Sequence, residues 1–88
     1  MAAGETQAAL DNYEQALALK PEYPEALYGR GNALLALARH AEAVESYDRA
    51  LALAPDRPEA LTHRGNALHE LKRFDKALAW ANLSLDAL

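Results

Sequence analysis

The residues that could do chemistry in this chain are histidines and carboxylates, and their spacing suits neither metal binding nor catalysis. His63 and His69 lie six residues apart, which on one helix turns their side chains about 240° from each other, so they cannot share a metal ion. Glu70 directly follows His69, and adjacent helical side chains point in different directions. No serine or cysteine is placed to complete a nucleophile and base. We predict no catalytic residue, no metal site and no cofactor.

Two pairs of opposite charges recur with the same spacing. Glu14 lies sixteen residues before Arg30, and Asp48 lies sixteen residues before Arg64. We hypothesise that each arginine forms an ion pair with the preceding helix, which would set the register of the helices more than it stabilises them, because desolvation offsets most of the Coulomb gain. The alternative is that both arginines lay their aliphatic stems on the surface.

Asn32 and Asn66 recur inside the identical run Arg-Gly-Asn-Ala-Leu at residues 30–34 and 64–68. An asparagine amide has two donor hydrogens and an acceptor oxygen, so it can bind the N–H and C=O of a peptide backbone without reading its side chains. The alternative is that a surface asparagine recurs simply because the unit was duplicated.

The elements that carry these residues belong to a repeat of 34 residues. Residues 21–54 align without gaps on residues 55–88, and residues 9–21 match residues 43–55 at the same offset. We predict one domain over residues 1–88, divided into a half unit with only its second helix (1–20), unit one (21–54) and unit two (55–88). Apolar and small residues recur at helical spacing on both sides of a break near residues 38–40 and again near residues 72–73, so each unit should contain two helices.

Five helices follow, over roughly residues 6–19, 24–37, 40–53 and 58–71, with the fifth starting near Phe74. Pro24 and Pro58 suit the first turn of a helix, and Pro21 and Pro55 stop the helices before them. The residues expected to face inward are Leu10, Tyr13 and Leu17, then Leu27, Gly31 and Leu34, then Val44, Tyr47 and Leu51, then Leu61, Gly65 and Leu68.

Gly31 and Gly65 each cost about 1 kcal/mol relative to alanine inside a helix, so they need a structural reason. We expect both to allow close packing against the small residues Ala43 and Ala77 of the partner helices.

This pattern resembles the tetratricopeptide repeat. The signature positions carry Leu27, Gly31, Leu34, Ala43, Tyr47 and Pro55 in unit one, and Leu61, Gly65, Leu68, Ala77 and Ala81 in unit two. The chain departs from the family at Arg30 and Arg64, where leucine is usual, and at Ala38 and Lys72, where a turn glycine is common and left-handed backbone would cost an alanine or lysine about 1 kcal/mol. The resemblance implies an all-α, right-handed solenoid of five antiparallel helices that acts as a protein-binding scaffold rather than an enzyme.

The resemblance also implies a concave groove, lined by the first helices of successive units, that binds an extended peptide or a partner helix. The groove positions are Glu25, Tyr28, Asn32, Leu35, Glu59, Thr62, Asn66 and His69. They include two acids and no lysine or arginine, so we predict a neutral or basic partner rather than a C-terminal carboxylate.

Composition narrows the choice of partners and of compartment. Thirteen acidic and nine basic residues give a net charge of −4, which disfavours nucleic acid. No apolar run approaches the roughly 18 residues of a membrane span, so we predict a soluble, cytoplasmic protein without a membrane partner. There is no cysteine for a disulfide.

The last predicted helix carries an apolar set of Trp80, Leu83 and Ala87, and the first helix lacks a hairpin partner. We predict that the ends self-associate, as a symmetric dimer or a head-to-tail filament. Excision from a longer array, or Trp80 folding inward beside Ala81, are the alternatives. The alternative function is a purely structural assembly piece, or an engineered or excised fragment with no ligand of its own.

Overall fold

The computed structural model describes the backbone of residues 3–86 and the side chains of residues 4–73. This part of the chain forms four helices and no strand: α1 (Ala3–Leu19), α2 (Pro24–Ala36), α3 (His40–Leu53) and α4 (Pro58–Asp86). The all-α prediction is confirmed. The right-handed and antiparallel arrangement of the hairpins, and the division into a half unit and two units, stay predictions.

Proline sets the start of two helices, as predicted. Pro24 opens α2 and Pro58 opens α4, where the missing N–H of proline has no helical acceptor to lose. The predicted bounds of α3 are confirmed at both ends, and α1 begins three residues earlier than predicted.

The turn between α2 and α3 places Ala38 in left-handed backbone, with a φ of 60°. The Ala38 N–H donates to the Leu35 carbonyl at 3.0 Å, and the Arg39 N–H donates to the Leu34 carbonyl at 2.8 Å. These two bonds form a Schellman motif, which usually has glycine at the left-handed position. The hydrogen bonds therefore hold an alanine in a conformation that costs it about 1 kcal/mol.

The prediction of five helices is not confirmed, because α4 runs through the expected break at residues 72–73. Lys72 and Arg73 are good helix formers, and neither glycine nor proline interrupts the chain between Pro58 and Asp86 apart from Gly65. The residues after the break also lack the features that hold α3 on α2, since Trp80 and Ala81 stand where α3 has Ser46 and Tyr47.

Consecutive helices pack against one another, and α2 also contacts α4. The buried centre combines leucines with alanines and one tyrosine: Leu10, Ala33, Leu34, Ala43, Tyr47, Ala60 and Ala67. Of the residues expected to face inward, Leu10, Leu27, Leu34 and Tyr47 are fully buried. Leu61 and Gly65 were predicted wrongly, since both are exposed on α4, where no described side chain covers them.

No helix in the described residues is long and apolar enough to cross a membrane. The side chains of Trp80, Leu83 and Ala87 lie outside the described residues, so their predicted role in self-association stays a prediction.

Candidate functional site

Two glycines on α2 make room for tyrosine rings from both neighbouring helices. A Cβ added to Gly31 would lie 2.6 Å from Cε1 of Tyr47 on α3, and a Cβ on Gly29 would collide with the ring of Tyr13 on α1. Contacts this short mean that any side chain larger than hydrogen at either glycine would have to displace the tyrosine ring. The close packing predicted for Gly31 is therefore real, but the atoms that require it belong to an aromatic ring rather than to an alanine.

The prediction for Gly65 was wrong. A Cβ added there would meet nothing within 4 Å. The 34-residue offset places Ala81 where Tyr47 faces Gly31, so the chain has no tyrosine for this glycine. Gly65 costs α4 stability without any compensating packing in the described structure.

Tyr28, Asn32, Tyr47 and His63 form a partly buried polar cluster between α2, α3 and α4, which we call the tyrosine–histidine cluster. The Tyr47 hydroxyl donates to Asn32 Oδ1 at 2.7 Å, and His63 Nδ1 lies 3.0 Å from the same oxygen. His63 Nδ1 also lies 3.2 Å from the Tyr28 hydroxyl. Because Asn32 Oδ1 can only accept, its contact with His63 is a hydrogen bond in the tautomer that has the proton on Nδ1.

Ring contacts connect the same residues. Tyr28 and His63 stack with their centroids 5.9 Å apart, and Tyr47 lies 6.0 Å from Tyr28 and 6.1 Å from His63 in tilted orientations. These distances fall within the range at which aromatic pairs attract each other. Tyr28 and His63 thus join α2 and α4 into one continuous surface.

Burial and the nearby Tyr28 both raise the pKa of Tyr47. The side chain is fully buried, so its ionised form would lose its hydration. The hydroxyl therefore stays a neutral donor to Asn32.

Arg57 closes one edge of the tyrosine–histidine cluster. Its guanidinium lies 5.3 Å from the centroid of the Tyr28 ring, and its Nη2 donates to Glu25 Oε1 at 3.1 Å. The arginine lies just before α4 and Glu25 is in the first turn of α2. Glu25, predicted as an acidic groove residue, is therefore neutralised by a partner that sequence reasoning did not identify.

The structure separates the predicted groove residues into two groups. Tyr28, Asn32 and Leu35 on α2 are partly buried, and the first two belong to the tyrosine–histidine cluster. The remaining groove positions are exposed: Glu25, Glu59, Thr62, Asn66 and His69. Asn32 and Asn66 are thus not equivalent, because the acceptor oxygen of Asn32 is already used inside the protein.

Sequence reasoning missed His63 as a member of the site. The signal was present, since His63 stands where unit one has Gly29, the glycine that receives Tyr13. With histidine at this position, α4 contacts Tyr47 through the imidazole ring, whose centroid lies 6.1 Å from that of the Tyr47 ring, and not through backbone left open by a glycine.

The hypothesis of repeated ion pairs is confirmed. Arg30 Nε lies 3.5 Å from Glu14 Oε1, and Arg64 Nε contacts Asp48 Oδ1. Arg30 Nη1 also donates to the buried Ser46 hydroxyl at 2.5 Å. Arg30 therefore connects α1, α2 and α3, and its side chain is only 17% exposed.

A cavity of about 390 Å³ opens between α1 and α2. It is lined mainly by small and apolar side chains: Thr6, Ala9, Tyr13, Gly29, Asn32, Ala33, Ala36 and Leu37. Across the described side chains, no three histidine or carboxylate groups are placed to hold a metal ion, and the predicted absence of metal and cofactor stays a prediction.

Comparison with known proteins gives one finding about the family. The family model of the tetratricopeptide repeat matches residues 1–58 and, in a second overlapping match, residues 31–88. No curated protein matches the chain at a significant level.

Proposed function

Because the chain belongs to the tetratricopeptide repeat family, whose repeats generally mediate protein–protein interactions as non-catalytic scaffolds, we propose that it binds an extended peptide or a partner helix across α2 and α4. The observation that carries this proposal is the stacking of Tyr28 on His63, which makes the outer faces of the two helices a single surface. In this proposal the predicted groove residues line that surface.

The polar groups on this surface suit a peptide backbone. Asn66 and Thr62 are exposed and can both donate and accept. Asn32 has its oxygen occupied by Tyr47 and His63, which leaves its amide hydrogens to donate to a peptide carbonyl. Backbone recognition of this kind orders the peptide without selecting its sequence strongly.

The charge of the surface favours a neutral or basic partner. Arg57, the cation beside Tyr28, is paired with Glu25, whereas Glu59 has no cationic partner within the described side chains. The net charge of −4 acts in the same direction. The cytoplasmic location and the exclusion of nucleic acid stay predictions from composition.

A random extended-peptide library, selected on the immobilised 88-residue chain, tests this proposal. We expect enrichment of neutral and basic peptides, whose binding weakens about tenfold in Asn66→Ala, a loss of about 1.4 kcal/mol. Glu59→Lys should weaken the basic peptides most, and Glu45→Lys on α3, also an exposed carboxylate, should leave them unchanged. Enriched peptides that bind all three variants equally well would contradict the proposed surface.

A second function, assembly through the ends of the chain, is favoured by one observation. Leu61 on α4 is 56% exposed and Leu19 at the end of α1 is 90% exposed, although both are large apolar side chains. Exposed apolar residues at both ends of a repeat stack are typical of surfaces that bind another repeat.

A further inference from the structure

The helices α2 and α4 carry the same sequence face, but among the described side chains only the face of α2 is covered. Leu27 is 0% exposed, whereas Leu61, one period later, is 56% exposed. Gly31 receives the ring of Tyr47, whereas Gly65 faces open space. The surface that α2 buries against α3 is therefore repeated on α4, where it is exposed.

The complementary half of this surface lies at the other end of the chain, on α1. Helix α1 is the counterpart of α3 one period earlier, so Tyr13 corresponds to Tyr47 and Asn12 to Ser46. Tyr47 and Ser46 are both fully buried. Tyr13 is partly buried and Asn12 is exposed.

The apolar ends of the two helices follow the same rule. Leu53 at the end of α3 shares a surface depression with Leu27 and is 43% exposed. The counterpart of Leu53 on α1 is Leu19, which is 90% exposed. The counterpart of Leu27 on α4 is Leu61, which is also exposed. The chain thus repeats both halves of the α2–α3 interface and leaves one half open at each end.

We propose that α1 of a second copy packs on α4 of the first copy in the register in which α3 packs on α2. Tyr13 of the second copy then lies over Gly65 of the first, with its hydroxyl directed at Asn66, as Tyr47 lies over Gly31 and donates to Asn32. This register deepens the second proposed function, assembly through the ends, and rests on it.

The cavity between α1 and α2 supports the same occupant. Three of its lining residues are Ala9, Tyr13 and Ala33. One period later they correspond to Ala43, Tyr47 and Ala67, which are all fully buried. Helix α2 helps to cover these three, since its residues Tyr28 and Leu35 pack against the same core. Helix α4 of the first copy fills this cavity in the proposed register. The exposed face of α4 also stays open for α1 of a second copy, since the backbone after residue 73 does not turn back but continues as the same helix to Asp86.

The two halves lie on different helices of one chain, so the contact is heterologous and each bound copy leaves an open end. The mass of the wild-type chain should therefore rise continuously from the 9.6 kDa monomer as the concentration increases from micromolar to millimolar. Analytical ultracentrifugation measures this rise directly. A dimer that grows no further would contradict the proposal.

Two variants block one end each while leaving the monomer intact. In the monomer, the new side chain of Gly65→Leu lies in open space. In the assembly, it would collide with the Tyr13 ring of the second copy. Residue 12 is exposed in the monomer, so Asn12→Arg should be tolerated there. Within the chain, Arg30 donates to Ser46, the counterpart of Asn12. In the assembly, Arg64 takes the place of Arg30, so the new arginine would be buried against a like charge. Each variant alone should associate at least about tenfold more weakly than the wild type.

An equal mixture of Gly65→Leu and Asn12→Arg gives the sharpest readout. Each variant retains the end that the other has lost, so the mixture should form a heterodimer and nothing larger. The matched controls are Gly4→Leu, at a helical glycine that also faces open space, and Gln15→Arg, at the counterpart of the exposed Arg49. Both controls should assemble like the wild type.

The outcomes distinguish a wrong register of α1 on α4 from the absence of assembly through the ends. If the wild type assembles but Gly65→Leu or Asn12→Arg assembles equally well, the register is wrong and assembly through the ends stands. If the wild type stays at the monomer mass up to millimolar concentration while circular dichroism shows it to be helical, both are wrong. Neither result bears on peptide binding across α2 and α4.

Discussion

Helices α2 and α4 share the run Arg-Gly-Asn-Ala-Leu, but its residues have different surroundings on the two helices. On α2 the glycine and asparagine receive the ring and hydroxyl of Tyr47. On α4 the same two residue types are exposed, and the backbone continues as one helix to Asp86 instead of turning back over them. A repeated signature therefore specifies half of an interface, and the partner helix decides whether this half is buried.

The largest expected difference between the two helices is the loss of a leucine side chain. Leu27→Ala should lower the free energy of unfolding by about 2–5 kcal/mol, because Leu27 is completely buried. Leu61→Ala, with more than half of its side chain exposed, should cost about 1 kcal/mol or less. Urea denaturation at micromolar concentration measures both values. Equal losses would mean that α4 is covered in solution.

Alkaline pH should weaken the covered region through Tyr47. Burial raises the pKa of Tyr47 in the folded protein, so above about pH 10 the unfolded chain releases a proton that the folded one retains. The contribution of Tyr47 to stability is complete below that pH, and it decreases by up to about 1.4 kcal/mol for each pH unit above it. Thermal unfolding of the wild type and of Tyr47→Phe across this range should show a steeper decline for the wild type. Parallel curves would contradict the burial of the hydroxyl.

Removing the hydroxyl group should change the free energy of unfolding by different amounts at Tyr47 and at Tyr13, and this difference should be smaller than those above. Tyr47→Phe should cost about 1 kcal/mol at neutral pH, because the Tyr47 hydroxyl donates to Asn32. Tyr13→Phe should change stability by less than about 0.5 kcal/mol, since the described structure shows no hydrogen bond from the Tyr13 hydroxyl. Denaturant titrations of both variants check this difference. A larger loss for Tyr13→Phe would place its hydroxyl in an interaction.

Glycine substitutions in the two connecting segments should have opposite signs. Ala38→Gly relieves a left-handed alanine and should stabilise the protein by up to about 1 kcal/mol. Lys72→Gly interrupts the continuous α4 and should cost up to about 1 kcal/mol. Melting temperatures measured side by side give both signs. Stabilisation by Lys72→Gly would indicate a turn at that position and hence a fifth helix.

Local sequence signals predicted the start of each proline-led helix, the bounds of α3 and the ion pairs of Arg30 and Arg64. Each of these predictions depends on a proline, on apolar periodicity or on the spacing of two charges. In a helix, such a spacing directly determines where the side chains lie. The continuity of α4 could not be predicted from periodicity, because Leu71 and Phe74 are spaced for both a break and an uninterrupted helix. Whether the chain turns there depends on the packing that a turn would gain.

The tyrosine–histidine cluster was predicted only in part. Tyr28 and Asn32 were assigned to the groove by resemblance to the family, but their contacts with His63 and Tyr47 depend on side chains from three helices. Comparing Gly29 with His63 across the repeat would have pointed to the histidine. Arg57 had no counterpart to compare, since unit one carries Tyr23 at that position.

The most direct test of the account is the change in unfolding free energy caused by Gly31→Ala and by Gly65→Ala in otherwise identical chains at micromolar concentration. We predict opposite signs. Gly31→Ala should destabilise the protein, because its new methyl group meets the buried ring of Tyr47, whereas Gly65→Ala should stabilise α4 by up to about 1 kcal/mol. Destabilisation by both substitutions, or by neither, would contradict the finding that, of the two repeated faces, the described residues cover only the one on α2.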